Sequence, residues 1–206
     1  MIVNSQTPPQ TDSPPSGRKT LQANLFWLGG GLLAVLVLSI TASFAPPIMK
    51  RLIIFYAIYG IASGMVLNWL AEELRPGWTK GLVIWGGILT VVGAVNMGWL
   101  SYQHFRKARE EFAAANPRDA VLEAHLQRLS EQDEELRIRY EEEKRRTKPL
   151  FPDYLAHRIS GIADLKTPWP EIFWGIEVLG SGLLCAGTMH LRQRRDTESK
   201  QPPVTN

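Results

Sequence analysis

One side chain has more chemical consequence than any other in this sequence. Glu177 lies about two helical turns inside an apolar stretch, 171–190. A charged carboxylate at the centre of a bilayer costs on the order of 3 kcal/mol by insertion scales. Such a group must face other helices, find a partner, reach water or hold a proton. Asn96 is the nearest candidate by depth, one turn from the end of another uncharged stretch that runs toward the same side. A hydrogen bond between Asn96 and Glu177 would satisfy both groups where water is scarce. Read functionally, the pair is an intramembrane polar site for a proton, a cation or a substrate. Read structurally, it is interhelical glue.

Other chemistry is poorly represented. His104, His125, His157 and His190 are scattered, with no partner three or four residues away, so haem and zinc have no sequence basis. Cys185 is the single cysteine, which excludes an intrachain disulfide and a cysteine zinc site. It reads as a small packing residue. No Walker loop, G-x-S-x-G or H-E-x-x-H is present, and Gly29-Gly30-Gly31 sits inside an apolar helix rather than at a phosphate. We therefore expect no enzyme, no cofactor and no metal. A membrane enzyme would need polar residues clustered at one depth, and only the one pair offers itself.

The elements that must position Glu177 follow from charge distribution. The whole-chain averages, 206 residues with 45% hydrophobic and 21% charged, resemble a soluble domain. Locally the chain is divided. Residues 25–44, 52–70 and 81–100 contain no Asp, Glu, Lys or Arg, whereas 101–170 carries 13 basic and 13 acidic residues. Uncharged runs of about 20 residues match a bilayer core. With 171–190 they predict an all-α integral membrane protein of four transmembrane helices. Ser43 and Ala45 resemble a signal-cleavage pattern, but the first run is long and Pro46 follows directly, so it is expected to remain as a span. Trp27, Trp69, Trp78, Trp99, Trp169 and Trp174 fall near span ends, where an apolar ring with one N–H is favoured.

Small residues recur within the spans. Gly60-xxx-Gly64, Ala94-xxx-Gly98 and Gly182-xxx-Ala186 allow helices to approach closely. Packing within this chain's own bundle is favoured over homodimerisation.

The polar segments organise as follows. Residues 1–20 form a Pro- and Ser-rich tail expected to be disordered, and 191–206 a disordered basic tail. Between the third and fourth spans, 101–147 is expected as a helical hairpin, with the third helix continuing to Ala115 and a second helix over Pro117–Thr147. Leu122, Leu126, Leu129, Leu136 and Tyr140 fall on a heptad seam interrupted by acids, which is coiled-coil-like in part. Residues 148–170 are expected as an amphipathic segment in the membrane interface, with Leu155, Ala156, Ile159, Ile162 and Ala163 on its apolar side.

These features set the functional expectation. Net charge is +3, and nearly all of the excess flanks apolar segments, which fits lipid headgroups better than nucleic acid. The leading reading is a non-enzymatic scaffold or interaction subunit. Its 101–170 helical segment would be the interaction element and would bind a protein partner or a second copy through 101–147, because the seam leucines need a neighbour beyond what Tyr102, Phe105 and Phe112 supply. The alternative is a small transporter or channel-like protein using Glu177 and Asn96. We expect residence in the plasma membrane with cytoplasmic termini. Near-membrane basic residues number eight against seven on the two sides, so the Arg192/Arg194/Arg195 cluster tips the orientation. That orientation is tested by a Ser130→Cys substitution in a Cys185→Ala background. A membrane-impermeant maleimide should label it in intact cells; labelling only after permeabilisation would reverse the topology.

Overall fold

The computed structural model describes residues 17–46, 49, 54–76, 79–115, 134–160 and 167–199. Among them every regular element is a helix: α1 (Gly17–Ser43), α2 (Ile54–Leu74), α3 (Thr79–Ala115), α4 (Glu134–Thr147), α5 (Phe151–Ile159) and α6 (Trp169–Ser199). Four segments are long and apolar enough to cross a membrane: Thr20–Ser43, Ile54–Leu74, Gly81–Ala115 and Trp169–Arg195. The third runs past Leu100, because nothing between Leu100 and Ala115 stops the helix. α2 ends at Leu74, Arg75 turns into the left-handed region (φ 45°), and Pro76 after it cannot continue a helix.

Side-chain contacts fix the directions of the four long helices. Trp27 meets Leu67 and Tyr59 meets Val35, so α1 and α2 are antiparallel neighbours. Ser39 meets Asn96 and Phe44 meets His104, so α1 and α3 run parallel. Gly98 meets Trp174 and Gly87 meets Gly182, so α3 and α6 are antiparallel. Tyr56 meets Trp174 and Gly64 meets Cys185, so α2 and α6 run parallel. α6 seats against both α2 and α3, and α1 packs on the same two helices. The core between them holds Trp27, Val35, Tyr59, Leu67, Met97, Cys185 and Met189.

The outside of the bundle is apolar, while its inside carries small and polar groups. Leu25, Ile58, Ile84, Leu179 and Leu183 face outward, Leu183 at 73% exposure. In water a face of this kind would be a large exposed apolar patch, whereas lipid tails would solvate it. Inside, Ser39, Ser43, Thr90 and Ser181 each donate to a carbonyl three or four residues earlier in their own helix. That bond satisfies a hydroxyl without needing a neighbour.

Glycine permits the closest approaches. A Cβ at Gly64 would lie 2.9 Å from the Cys185 carbonyl oxygen, and one at Gly60 would strike the backbone of Ser181. A Cβ at Gly182 would lie 2.7 Å from a Val91 methyl and 3.0 Å from the Gly87 carbonyl oxygen. The Ala186 methyl borders the same contact at Gly87, and Ala94 is fully buried. Backbone cannot yield as a flexible side chain can, so α2 and α6 touch there only because no Cβ intervenes.

Two tryptophans depart from the interfacial expectation. Trp27 is fully buried and donates from Nε1 to the Leu67 carbonyl at 3.2 Å. Trp174 turns inward and donates to the Tyr56 hydroxyl at 3.2 Å. A ring near a helix end still packs inward when a neighbouring helix offers its N–H an acceptor. Trp69, Trp99 and Trp169 are exposed.

Overpacking an apolar interface typically costs about 1–3 kcal/mol. Gly64→Leu should therefore destabilise the purified protein by that amount in a detergent-unfolding titration. Gly29→Ala, at a position with no neighbour within 4 Å, should not lower stability.

Candidate functional site

Glu177 is paired, and its partner is Arg158. The Arg158 Nη2 to Glu177 Oε2 distance is 2.7 Å, and the two side chains are 6% and 9% exposed. Such enclosure leaves water little access, so each charge depends on the other. Arg158 comes from α5, a nine-residue helix preceding the fourth long helix. Its guanidinium also lies 4.9 Å from the centre of the Tyr56 ring. A desolvated cation over an aromatic face gains about 2 kcal/mol. Tyr56, Arg158, Trp174 and Glu177 thus form one unit drawn from α2, α5 and α6.

α5 is built to deliver that arginine. Its first turn is closed by Asp153, whose Oδ2 accepts the Leu150 N–H at 2.8 Å, and Pro152 fits a position where no N–H is needed. Its buried residues are Leu155 and Arg158, three apart and therefore on one face. Within the amphipathic segment expected over 148–170, the described helix is Phe151–Ile159, and its inner face includes a charge. Residues 161–166 lie outside the described set. Rather than standing apart from the protein, α5 packs against α3 and α6.

Aromatic rings complete the contact. Tyr102 meets Phe151 edge-on at 5.5 Å, Phe105 meets Tyr154 at 5.5 Å, and Phe151 meets Trp174 edge-on at 5.2 Å. Such pairs add about 0.5–1.5 kcal/mol each beyond their burial. The Tyr102 hydroxyl donates to the Pro149 carbonyl at 3.2 Å, tying α3 to the turn before α5. Burial pushes the Tyr154 hydroxyl above the usual phenol range, against the opposing pull of Arg158 and a hydrogen bond with Ser101. Tyr154 is therefore neutral at physiological pH.

Asn96 and Glu177 do lie at a similar level, since Gly98 faces Trp174, yet they are not bonded to each other. Asn96 Nδ2 donates to Ser39 Oγ on α1 at 2.7 Å. That Ser39 in turn donates to the Leu36 carbonyl at 2.8 Å. The proposed two-residue site is thus divided into an α1–α3 hydrogen bond and an α5–α6 ion pair. Among the described residues, no three His, Cys, Asp or Glu gather where they could hold a metal ion.

The expected interaction seam falls mostly beyond view. Leu122, Leu126 and Leu129 lie outside the described residues, as does the side chain of Leu136; Tyr140 is half-buried on α4. Tyr102 and Phe105, expected to help cover those leucines, pack on α5. Arg158 is the residue the sequence analysis missed. Its spacing from Tyr154 and Leu155 puts it on the buried side of α5.

At the opposite end of the bundle, Asn68 Nδ2 donates to Glu72 at 2.7 Å and Arg192 Nε lies 3.1 Å from Glu72. That pair is about half exposed and contributes little, as surface pairs do. No protein-family model matches the chain, and no curated protein or solved structure is significantly similar to it.

Removing one partner of a buried ion pair typically costs about 3–5 kcal/mol, while replacing both by apolar groups is far milder. Arg158→Met alone should therefore destabilise the protein strongly in a detergent-unfolding titration. The double variant Arg158→Met with Glu177→Leu should recover most of the loss. A double-variant loss equal to the sum of the Arg158→Met and Glu177→Leu single losses would mean that the charges are not coupled.

Proposed function

We propose that this chain is a non-enzymatic membrane protein that holds a helical arm at a fixed position against the bilayer for association with another protein. The observation that carries the reading is the clamp of α5 onto the bundle through Arg158 and Glu177. It lies beside α3, which continues without a break from its apolar part into the charged segment. A polar arm on a flexible tether would need neither feature. The clamp holds the end of the return path, and α4 packs back along α3. The arm's outer side presents Ile138, which is 53% exposed amid charged neighbours.

The transport reading loses its motive on the same grounds. Its two residues are satisfied by other partners, Glu177 by an arginine and Asn96 by a serine. A carboxylate held by a buried guanidinium is a poor acceptor for a passing cation.

The test is site-specific photo-cross-linking of the full-length chain in cells. A photoreactive residue at Ile138 or Glu141 should give one discrete protein adduct, either a heterologous partner or a second copy. The same residue at Leu183, on the outer apolar face, should give none. Absence of a discrete adduct at both arm positions would overturn the reading.

A further inference from the structure

Beside the arm lies a cleft the interaction reading does not use. It has a volume of about 340 Å³ and is lined by Phe105 and Arg109 of α3, Arg145 of α4, Pro149 of the turn, and Asp153 and His157 of α5. Small-molecule sites begin at about this size. Its walls come from three helices, and the side chains from α3 and α5 are held in place. His157 stacks on Phe105 with ring centres 5.0 Å apart, and the Arg109 guanidinium lies 5.3 Å from the centre of the same Phe105 ring. Pro149 is buried and its carbonyl is held by Tyr102. Asp153 is anchored by the Leu150 N–H.

The charge pattern is asymmetric. Two guanidinium groups reach the cleft from α3 and α4, and no carboxylate among the described residues is ion-paired with either. A guanidinium offers a planar fork of donors suited to phosphate oxygens. Asp153 supplies an acceptor from α5. The depth is informative as well. Phe105 and Arg109 lie five and nine residues beyond Leu100, about 8 and 14 Å along a straight helix. If the apolar part of α3 fills the bilayer core, that distance covers and slightly exceeds a headgroup layer about 5–8 Å thick.

We propose that this cleft binds a phosphate-bearing anion, with Arg109 and Arg145 holding the phosphate and Asp153 accepting a hydroxyl or ammonium of the group attached to it. The phosphate belongs either to a lipid headgroup or to a small soluble phosphate ester. The site stands on the cleft's own residues and is independent of whether the arm binds a protein.

The experiment uses the full-length chain in nanodiscs containing phosphatidylglycerol and phosphatidylcholine, with retained lipids counted by native mass spectrometry. Arg109→Gln with Arg145→Gln should cut retained phosphatidylglycerol about tenfold or more, as expected when charge-assisted hydrogen bonds are lost. Arg137→Gln, an exposed α4 arginine paired with Glu134, should leave it unchanged. Both cleft arginines are exposed, and unchanged helicity and melting of the double variant will show that folding is intact. Glycerol 3-phosphate is then added at millimolar concentration. Displacement of the lipid, or a variant-sensitive glycerol phosphate adduct in protein without lipid, identifies a soluble ester as ligand. Retention of the lipid throughout identifies the headgroup. The proposal is overturned if the double variant retains both probes as well as the parent does, or if Arg137→Gln causes an equal loss.

Discussion

A carboxylate among apolar side chains has to be neutralised, and much of this molecule's architecture follows from how that is done. Arg158 reaches Glu177 from outside the four long helices, so the helix that carries it must lie against them. Once α5 is held there, Phe151 and Tyr154 meet the rings of Trp99, Tyr102 and Phe105 on α3. The turn at Pro149 is then fixed against Tyr102, and the end of α4 with it. One electrostatic requirement on α6 therefore sets the position of two helices beyond the bundle.

Elsewhere the bundle manages polarity locally. Ser39, Thr90, Ser181 and Thr188 return their hydroxyl protons to carbonyls of their own helices, and other bonds cross between helices. The crossing bonds include Asn96 with Ser39, Tyr59 with Val35, and Trp27 with Leu67. In a low-dielectric setting a donor without an acceptor costs more than a bond gains, so self-satisfaction is the safer arrangement. Adhesion between α2 and α6 then comes from shape. Gly60 and Gly64 let two backbones touch, which brings many weak dispersion contacts into range at once.

The four long helices were readable because absence of charge over some 20 residues is a constraint few soluble segments meet. Their partners were harder to read. Asn96 and Glu177 were placed at a common level, and the level is right, but level says nothing about azimuth: Asn96 turns to α1. Trp27 shows the same limit, since distance from a helix end does not say which way a ring points. Arg158 was legible in principle. An arginine three residues after Leu155 and four after Tyr154 sits on the buried stripe of a short helix, where only a partnered charge belongs. The charge total hid it, because a count of basic residues near the membrane treats every arginine as solvated.

α3 has 37 residues in one uninterrupted helix, about 55 Å at the usual rise. Mechanically it is a lever whose fulcrum lies where α1 and α6 grip its lower two thirds. Turning it through a few degrees about that grip would carry Ala115 sideways by about 1–3 Å and would simultaneously drag the rings at Tyr102 and Phe105 across α5. Displacement at the tip and shear at the α5 contact are therefore one motion. A force applied to the outer end of the arm is felt as strain on the Arg158–Glu177 pair.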